Sequence, residues 1–163
     1  TQIAKGYVEP DGTLAPFKGL QRTGDRAAFD HRGRLKVFGK VSDRITTDNG
    51  LNYLPLPMED ELKAADLKKL NILEEVVVIG DARPRLGCVY FLREGVEETA
   101  AREEYLGGLI REFNASRPVD QQLGPWTVSA RGLKESGGIG PSGKLVRRRI
   151  EEQYGVLYAD AGG

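Results

Sequence analysis

Glycine and proline cut this chain into short pieces. There are 21 glycines and 8 prolines among 163 residues, and glycine is well above its usual ~7% share. A chain punctuated this way folds from short strands, tight turns and short amphipathic helices, with several glycine loops that have work to do. At 39% hydrophobic and 29% charged residues it has the material for one packed core, with an appendage of a few strands but no second full domain. Lys+Arg and Asp+Glu balance at 24 each, so no global field draws nucleic acid or anionic lipid, and any anion site must be local. The only cysteine, Cys88, lies in an apolar run and can form no intrachain disulfide, which fits a reducing, cytoplasmic setting. The only histidine, His31, reads as a turn residue in Asp30-His31-Arg32-Gly33. With one of each, a zinc centre and a Cys-His pair are disfavoured, and no metal site is expected. No apolar run is long enough to span a membrane, and the stretch from Thr1 to Gly6 has no secretory pattern.

Along the chain, residues 1 to about 30 read as short strands and turns. Leu35 and Val37 alternate with polar neighbours, and Val41 to Thr47 leads into Asp48-Asn49-Gly50, a tight-turn signal because Asn and Gly accept positive φ. Pro55-Leu56-Pro57 is expected to stop that unit. A helix over 58–69 follows, with Met58, Leu62 and Ala65 on one stripe. Glu75 to Ile79 and Leu86 to Leu92 predict a β-hairpin from their β-branched and aromatic residues. Leu106, Leu109, Ile110 and Phe113 mark a second helix despite Gly107 and Gly108. Trp126, Val128 and Ala130 alternate as a third strand, and a last helix is expected from about Lys144, with Val146, Ile150 and Tyr154 on one face. The fold class is α/β (α+β): a β-hairpin and an approximately three-stranded sheet flanked by helices.

The segment Glu135-Ser136-Gly137-Gly138-Ile139-Gly140-Pro141-Ser142-Gly143-Lys144, followed by Leu145-Val146-Arg147-Arg148-Arg149, breaks a local rule. Four cations crowd the start of the last helix, where the dipole favours acids. Either an incoming phosphate or carboxylate compensates them, or Arg147 to Glu151 and Arg148 to Glu152 form i,i+4 pairs. The spacing also fits the GxxxxGK of a phosphate-cradling loop. That reading fails because Leu145 stands where Ser or Thr would hold magnesium, and Pro141 lacks an N–H.

Several segments, in one order, resemble the C-terminal part of the AMP-forming acyl-CoA synthetases, within the adenylate-forming superfamily of luciferases and nonribosomal-peptide adenylation domains. Gly6-Tyr7 with Gln21-Arg22-Thr23-Gly24-Asp25 is similar to "GY…TGD", and Asp30 to Leu35 to "D-x-x-G-x-L". Gly39-Lys40-Val41-Ser42-Asp43-Arg44-Ile45 is similar to the hinge segment "GRxxDxI". Gly50 to Glu59 fits "GxNxxPxxIE", and Ser142-Gly143-Lys144-Leu145-Val146-Arg147 fits "SGKxxR". Gly80 to Leu86, with Phe113-Asn114, is closer to the long-chain fatty acyl-CoA branch than to the acetate branch.

The resemblance implies that residues 1–42 end a large adenylation domain and residues 43–163 form a mobile C-terminal lid. It implies ATP with Mg2+, CoA and a fatty acid as substrates, bound mainly by that large domain, and a cytoplasmic location that admits peripheral contact with a membrane. Asp25 would accept hydrogen bonds from the ribose hydroxyls, with Lys40 also on the nucleotide. Lys144 would bridge substrate carboxylate and phosphate oxygens. Ser42 and Asp43 would form the hinge. Thr46, Thr47 and Gly50 would form the loop facing CoA, while Ser142 and Gly143 belong to the glycine loop before the lysine. Lys40 replaces the usual arginine, Ser42 stands where Asp or Lys is common, and Gly140 replaces a usual threonine. The large domain's own phosphate loop is not found, so the chain looks like an excised fragment, inactive alone. The alternatives are a non-catalytic interaction domain of the same fold and a ligase that delivers acyl groups to a carrier protein.

Overall fold

A computed structural model describes residues 6–16 and 23–158. Gln21 and Arg22 of the first motif lie outside the described residues. Two antiparallel hairpins come first: β1 (Gly6–Val8) with β2 (Leu14–Pro16), then β3 (Asp25–Phe29) with β4 (Leu35–Lys40). A 3-10 turn over Val41–Asp43 leads to a short pair, β5 (Ile45–Thr46) and β6 (Asn52–Tyr53). The sheet that organises the rest has β7 (Leu73–Ile79), β8 (Leu86–Leu92) and β9 (Leu123–Val128) in that order. Strands β7 and β8 form the expected hairpin, with Val76 opposite Tyr90 and Val78 opposite Cys88, while β9 runs parallel to β8. That direction follows from chain order, because α2 (Ala100–Asn114) crosses over between β8 and β9.

Strand alternation divides the core in two. Val76, Val78, Cys88 and Tyr90 face α2 and α1 (Pro55–Leu67), joining Leu62, Leu106, Leu109, Ile110 and Phe113. Val77, Ile79, Val89 and Phe91 face the other way, onto Leu133 and the Ile150 side chain of α3 (Arg147–Tyr154). A sheet buried on both faces reads as a continuous apolar run, as β8 does. Among the described residues no helix is long and apolar enough to cross a membrane.

Three expected boundaries move. The prolines begin α1 rather than ending the unit before it: Pro55 is its first residue, where the missing N–H costs nothing and φ is preset. Strand β9 ends at Val128, before Ser129 and Ala130. Helix α3 begins at Arg147, so Lys144 stands outside it and Val146 is its N-cap.

Two acids on the inner face of α1 were not expected there. Glu59 and Asp66 are 3% and 1% exposed, on the same buried face as Leu62. The cause is the open edge of β7, whose unpaired amides need acceptors. Asp66 accepts from the Leu73 N–H at 2.8 Å, Glu59 from Val78 at 2.8 Å, Glu75 from Val76 at 3.0 Å and Glu151 of α3 from Gly80 at 3.0 Å. The other Asp66 oxygen takes the Tyr105 hydroxyl at 2.9 Å. Burial and this carboxylate together push the Tyr105 phenol up to about 12.

Candidate functional site

Lys144 sits at the tip of a small hairpin. Ile139 bridges Leu145, the Gly140 N–H donates to the Lys144 carbonyl at 2.8 Å, and the Gly143 N–H donates to the Gly140 carbonyl at 2.9 Å. Pro141 supplies the second turn position, and Gly143, at φ +73°, takes the left-handed one that closes a three-residue loop. The glycine-rich segment is therefore a turn whose Gly140 and Gly143 amides are spent on its own carbonyls. Pro141, Ser142, Gly143 and Lys144 are all exposed, and the Lys144 ammonium has no ion-pair partner among the described residues.

Asp25 pairs with Lys40 and also feels the charge of Lys144. Lys40 Nζ donates to Asp25 Oδ1 at 3.2 Å, and the Val41 N–H donates to the Gly24 carbonyl at 2.8 Å, tying the end of β4 to the start of β3. The Asp25 carboxyl is held below its ordinary range by the Thr23 hydroxyl first, then by Lys40, with a smaller pull from the Lys144 charge. An exposed carboxylate paired with one ammonium and weakly drawn by the charge of a second offers acceptors for hydroxyls, with positive charge for phosphate oxygens.

Ser42 and Asp43, the residues expected to form a hinge, occupy the single 3-10 turn between β4 and β5. Both are exposed, and the Ser42 hydroxyl donates to Asp43 Oδ1 at 3.3 Å. A short exposed connection with few contacts is where backbone torsions change at least cost.

Thr46, Thr47 and Gly50 form a second, separate group. Thr47 is buried and its hydroxyl donates to Asn49 Oδ1 at 2.7 Å, while Gly50, at φ +81°, closes the turn onto the Thr47 carbonyl at 2.8 Å. This loop is braced by the β7–β8 turn. Asp81 Oδ1 accepts from the Thr46 N–H at 3.0 Å, the Ala82 N–H donates to Thr46 and the Asp48 N–H to Arg83. Thr47, Asn49, Tyr53, Arg85 and Asp120 line a cleft of about 530 Å3 beside it. Among the described residues no hydrogen bond or ion pair joins this loop to Lys144.

The cations at the start of α3 find partners within the chain, although the buried Arg147 Nε has none among the described residues. Arg148 makes the expected pair with Glu152, at 2.8 Å, and Arg149 Nη1 donates to the Gly137 carbonyl at 3.0 Å. Arg147 does not pair with Glu151. Its guanidinium forks onto both Glu59 oxygens, Nη1 to Oε1 and Nη2 to Oε2, and Nη1 also reaches the Val78 carbonyl at 2.6 Å. No incoming anion is needed to offset this helix start. The one available signal was that Glu59 and Arg147 each close one of the motif segments matched in the sequence. Among the described residues no group of three or more His, Cys, Asp or Glu side chains converges as a metal site would.

A family model described as AMP-binding enzyme C-terminal domain matches residues 42–157. The chain belongs to that family. This C-terminal domain is 37% identical over 89 residues to the long-chain-fatty-acid–CoA ligase FadD15 of Mycobacterium tuberculosis, a match covering 53% of the chain and 14% of FadD15. It is 27% identical over 175 residues to human long-chain-fatty-acid–CoA ligase ACSBG1, covering 84% of the chain and 23% of that protein. The chain thus spans less than a quarter of the length of these curated relatives. Its fold matches the adenylation domain of a carboxylate reductase from Mycobacterium chelonae, with TM-score 0.63 at 20% identity, over 93% of this chain and 24% of that one. Apo MatB from Rhodopseudomonas palustris matches with TM-score 0.58 at 19% identity, over 92% and 26%.

Proposed function

We propose that this C-terminal domain is the mobile lid of an AMP-forming long-chain fatty acid–CoA ligase, and that it supplies the lysine that assists acyl-adenylate formation. In the first half-reaction a carboxylate oxygen attacks the α-phosphorus of ATP. The bond to the β-phosphate breaks, and pyrophosphate leaves with its magnesium. In the second the CoA thiol, on losing its proton, attacks the acyl carbonyl and AMP leaves with the C–O electron pair. ATP with Mg2+, CoA and the fatty acid are substrates, held mainly by a large partner body of the same polypeptide in the cytoplasm. That body includes residues 1–42, and the lid is residues 43–163.

The observation that carries this reading is the exposed hairpin that presents Lys144, together with the exposed Asp25–Lys40 pair on which its charge acts. Asp25 would accept from ribose hydroxyls, with Lys40 as a second contact to the nucleotide. Lys144 would offset charge on the reacting oxygens, and a long flexible ammonium suits a group that must withdraw afterwards. Ser42 and Asp43 would absorb the torsion change, and the family match beginning at Ser42 supports a division there. Ser142 and Gly143 shape the turn that presents Lys144. Rotation about the hinge would exchange that turn for the Thr46, Thr47 and Gly50 loop, which would approach the CoA thiol. The exposed face of β3–β4, with Phe29 74%, Leu35 61% and Val37 51% exposed, supports assigning that hairpin to a larger body.

The test is Lys144→Ala in the full-length ligase. Fatty-acid-dependent ATP–pyrophosphate exchange should fall about 100-fold or more, while CoA acylation from a supplied acyl adenylate should stay near wild type. Equal losses in the two half-reactions would remove Lys144 from the role given to it.

A further inference from the structure

Helix α3 holds the open edge of β7 at two points. Arg147 donates to the Val78 carbonyl at 2.6 Å, and both Glu151 oxygens accept from the Gly80 N–H at 3.0 Å. The spacing fits: four helical residues rise about 6 Å, and two strand residues span about 6.6 Å. A third tie runs to α1, because the Arg147 fork closes on both oxygens of Glu59, whose Oε1 also accepts from the Val78 N–H at 2.8 Å. Arg147 therefore binds α1, β7 and α3 at one place. Only Leu145 and Val146 separate it from Lys144, and the Val146 N–H is bonded to the Gly138 carbonyl at 2.7 Å, inside the same hairpin. Little slack lies between the fork and the ammonium-bearing tip.

A buried ion pair is a poor way to gain stability, since apolar side chains of similar volume often do as well. What the fork adds is direction: a planar guanidinium with two carboxylate oxygens and one carbonyl in place leaves α3 little freedom to rotate or slide. We propose that Arg147, through Glu59 and the Val78 carbonyl, is the positioning residue that fixes where the Lys144 ammonium stands. The inference rests on the reading of Lys144 as the adenylation lysine.

The test uses the full-length ligase with Arg147→Lys, which keeps the charge and loses the fork, and with the double variant Glu59→Leu/Arg147→Met, which replaces the pair with apolar volume and guards against misfolding. Both should lower the kcat of fatty-acid-dependent pyrophosphate exchange about 10- to 100-fold. The fatty-acid KM and CoA acylation from supplied acyl adenylate should stay near wild type. Equal losses in both half-reactions, or no loss in either, would overturn the proposal. Amide NMR of the 163-residue chain supplies a readout independent of turnover. Arg147→Lys should shift the Gly143 and Lys144 resonances, and unmoved resonances would sink the positioning role. If wild-type enzyme shows no exchange, the ligase reading fails and the NMR result alone decides the positioning inference.

Discussion

Glu59 accepts from the Val78 amide and from two guanidinium nitrogens while almost wholly enclosed. Burial lifts its carboxyl above the ordinary range, and the opposing pull of Arg147 is the smaller effect. Removing one partner strands the other, so Glu59→Ala should cost about 3–5 kcal/mol in urea unfolding. Glu59→Leu with Arg147→Met should cost far less, and equal costs would mean that the stranded charge is not the cause. Glu151 makes a pH prediction. Burial raises its carboxyl from 4.5, helped by Asp81 and opposed by the Gly80 amide and Arg83. A folded value above the unfolded one means that folding takes up a proton. The stabilisation is full below the unfolded value and is lost as pH rises through the folded one. Glu151→Gln keeps an acceptor for Gly80 and removes the titration. Between about pH 4 and pH 7, melting temperatures should show wild type losing ground to the variant; wild type gaining ground would reverse the assigned sign. The i,i+4 spacing of Arg147 and Glu151 was legible in the sequence, and so was the Arg148–Glu152 pair. What sequence spacing omits is the competitor: β7 places a carbonyl and an amide nearer to Arg147 and Glu151 than they are to each other.

Periodicity found α2 correctly, with Leu106, Leu109, Ile110 and Phe113 all buried, because a stripe of four large apolar residues has only one way to face a sheet. It did less well on α1, where Glu59 and Asp66 share the inner face with Leu62. An acid at a core position is legible only to a reader who already knows that an open strand edge lies opposite. The ends of β9 and α3 also moved, since alternation and helical spacing continue past the point where pairing and capping stop them. The two glycines of α2 separate propensity from packing. A Cβ on Gly108 would meet only the Arg111 guanidinium, at 3.7 Å, whereas one on Gly107 would press within 3.3 Å of the Trp126 ring, which packs against the first core cluster. Gly108→Ala should therefore stabilise by about 0.5–1 kcal/mol, the usual helix-interior difference. Gly107→Ala should return less or lose stability, because the indole has to give way. Thermal melts of the two variants decide it, and identical gains would mean that the Trp126 contact does not matter.

Burial is unevenly spread over the molecule. Strands β7 and β8 contribute Val76, Val77, Val78, Ile79, Val89, Tyr90 and Phe91 at 0% exposure, while every residue of β3 is exposed. A two-stranded hairpin is marginal in water, and here the paired Phe29 and Leu35, with Val37 further along, present their apolar side chains to solvent. The two regions should then open with different free energies: β7–β9 only with global unfolding, β3–β4 in local fluctuations near zero cost. Hydrogen exchange on the chain by itself should show β3–β4 amides exchanging orders of magnitude faster than those of β7 and β8. If the chain belongs to a longer ligase as proposed, the same β3–β4 amides should gain protection in the full-length protein, because a larger body would cover Phe29, Leu35 and Val37. Protection equal to the sheet in the isolated chain would mean that the hairpin belongs to the lid's own fold, and the division at residues 42 and 43 would have to move. On the proposed function this division matters for catalysis: Asp25 and Lys40 lie on that hairpin and Lys144 lies beyond Ser42 and Asp43, so a hairpin held by a larger body would let rotation at those two residues separate the ammonium from the nucleotide side.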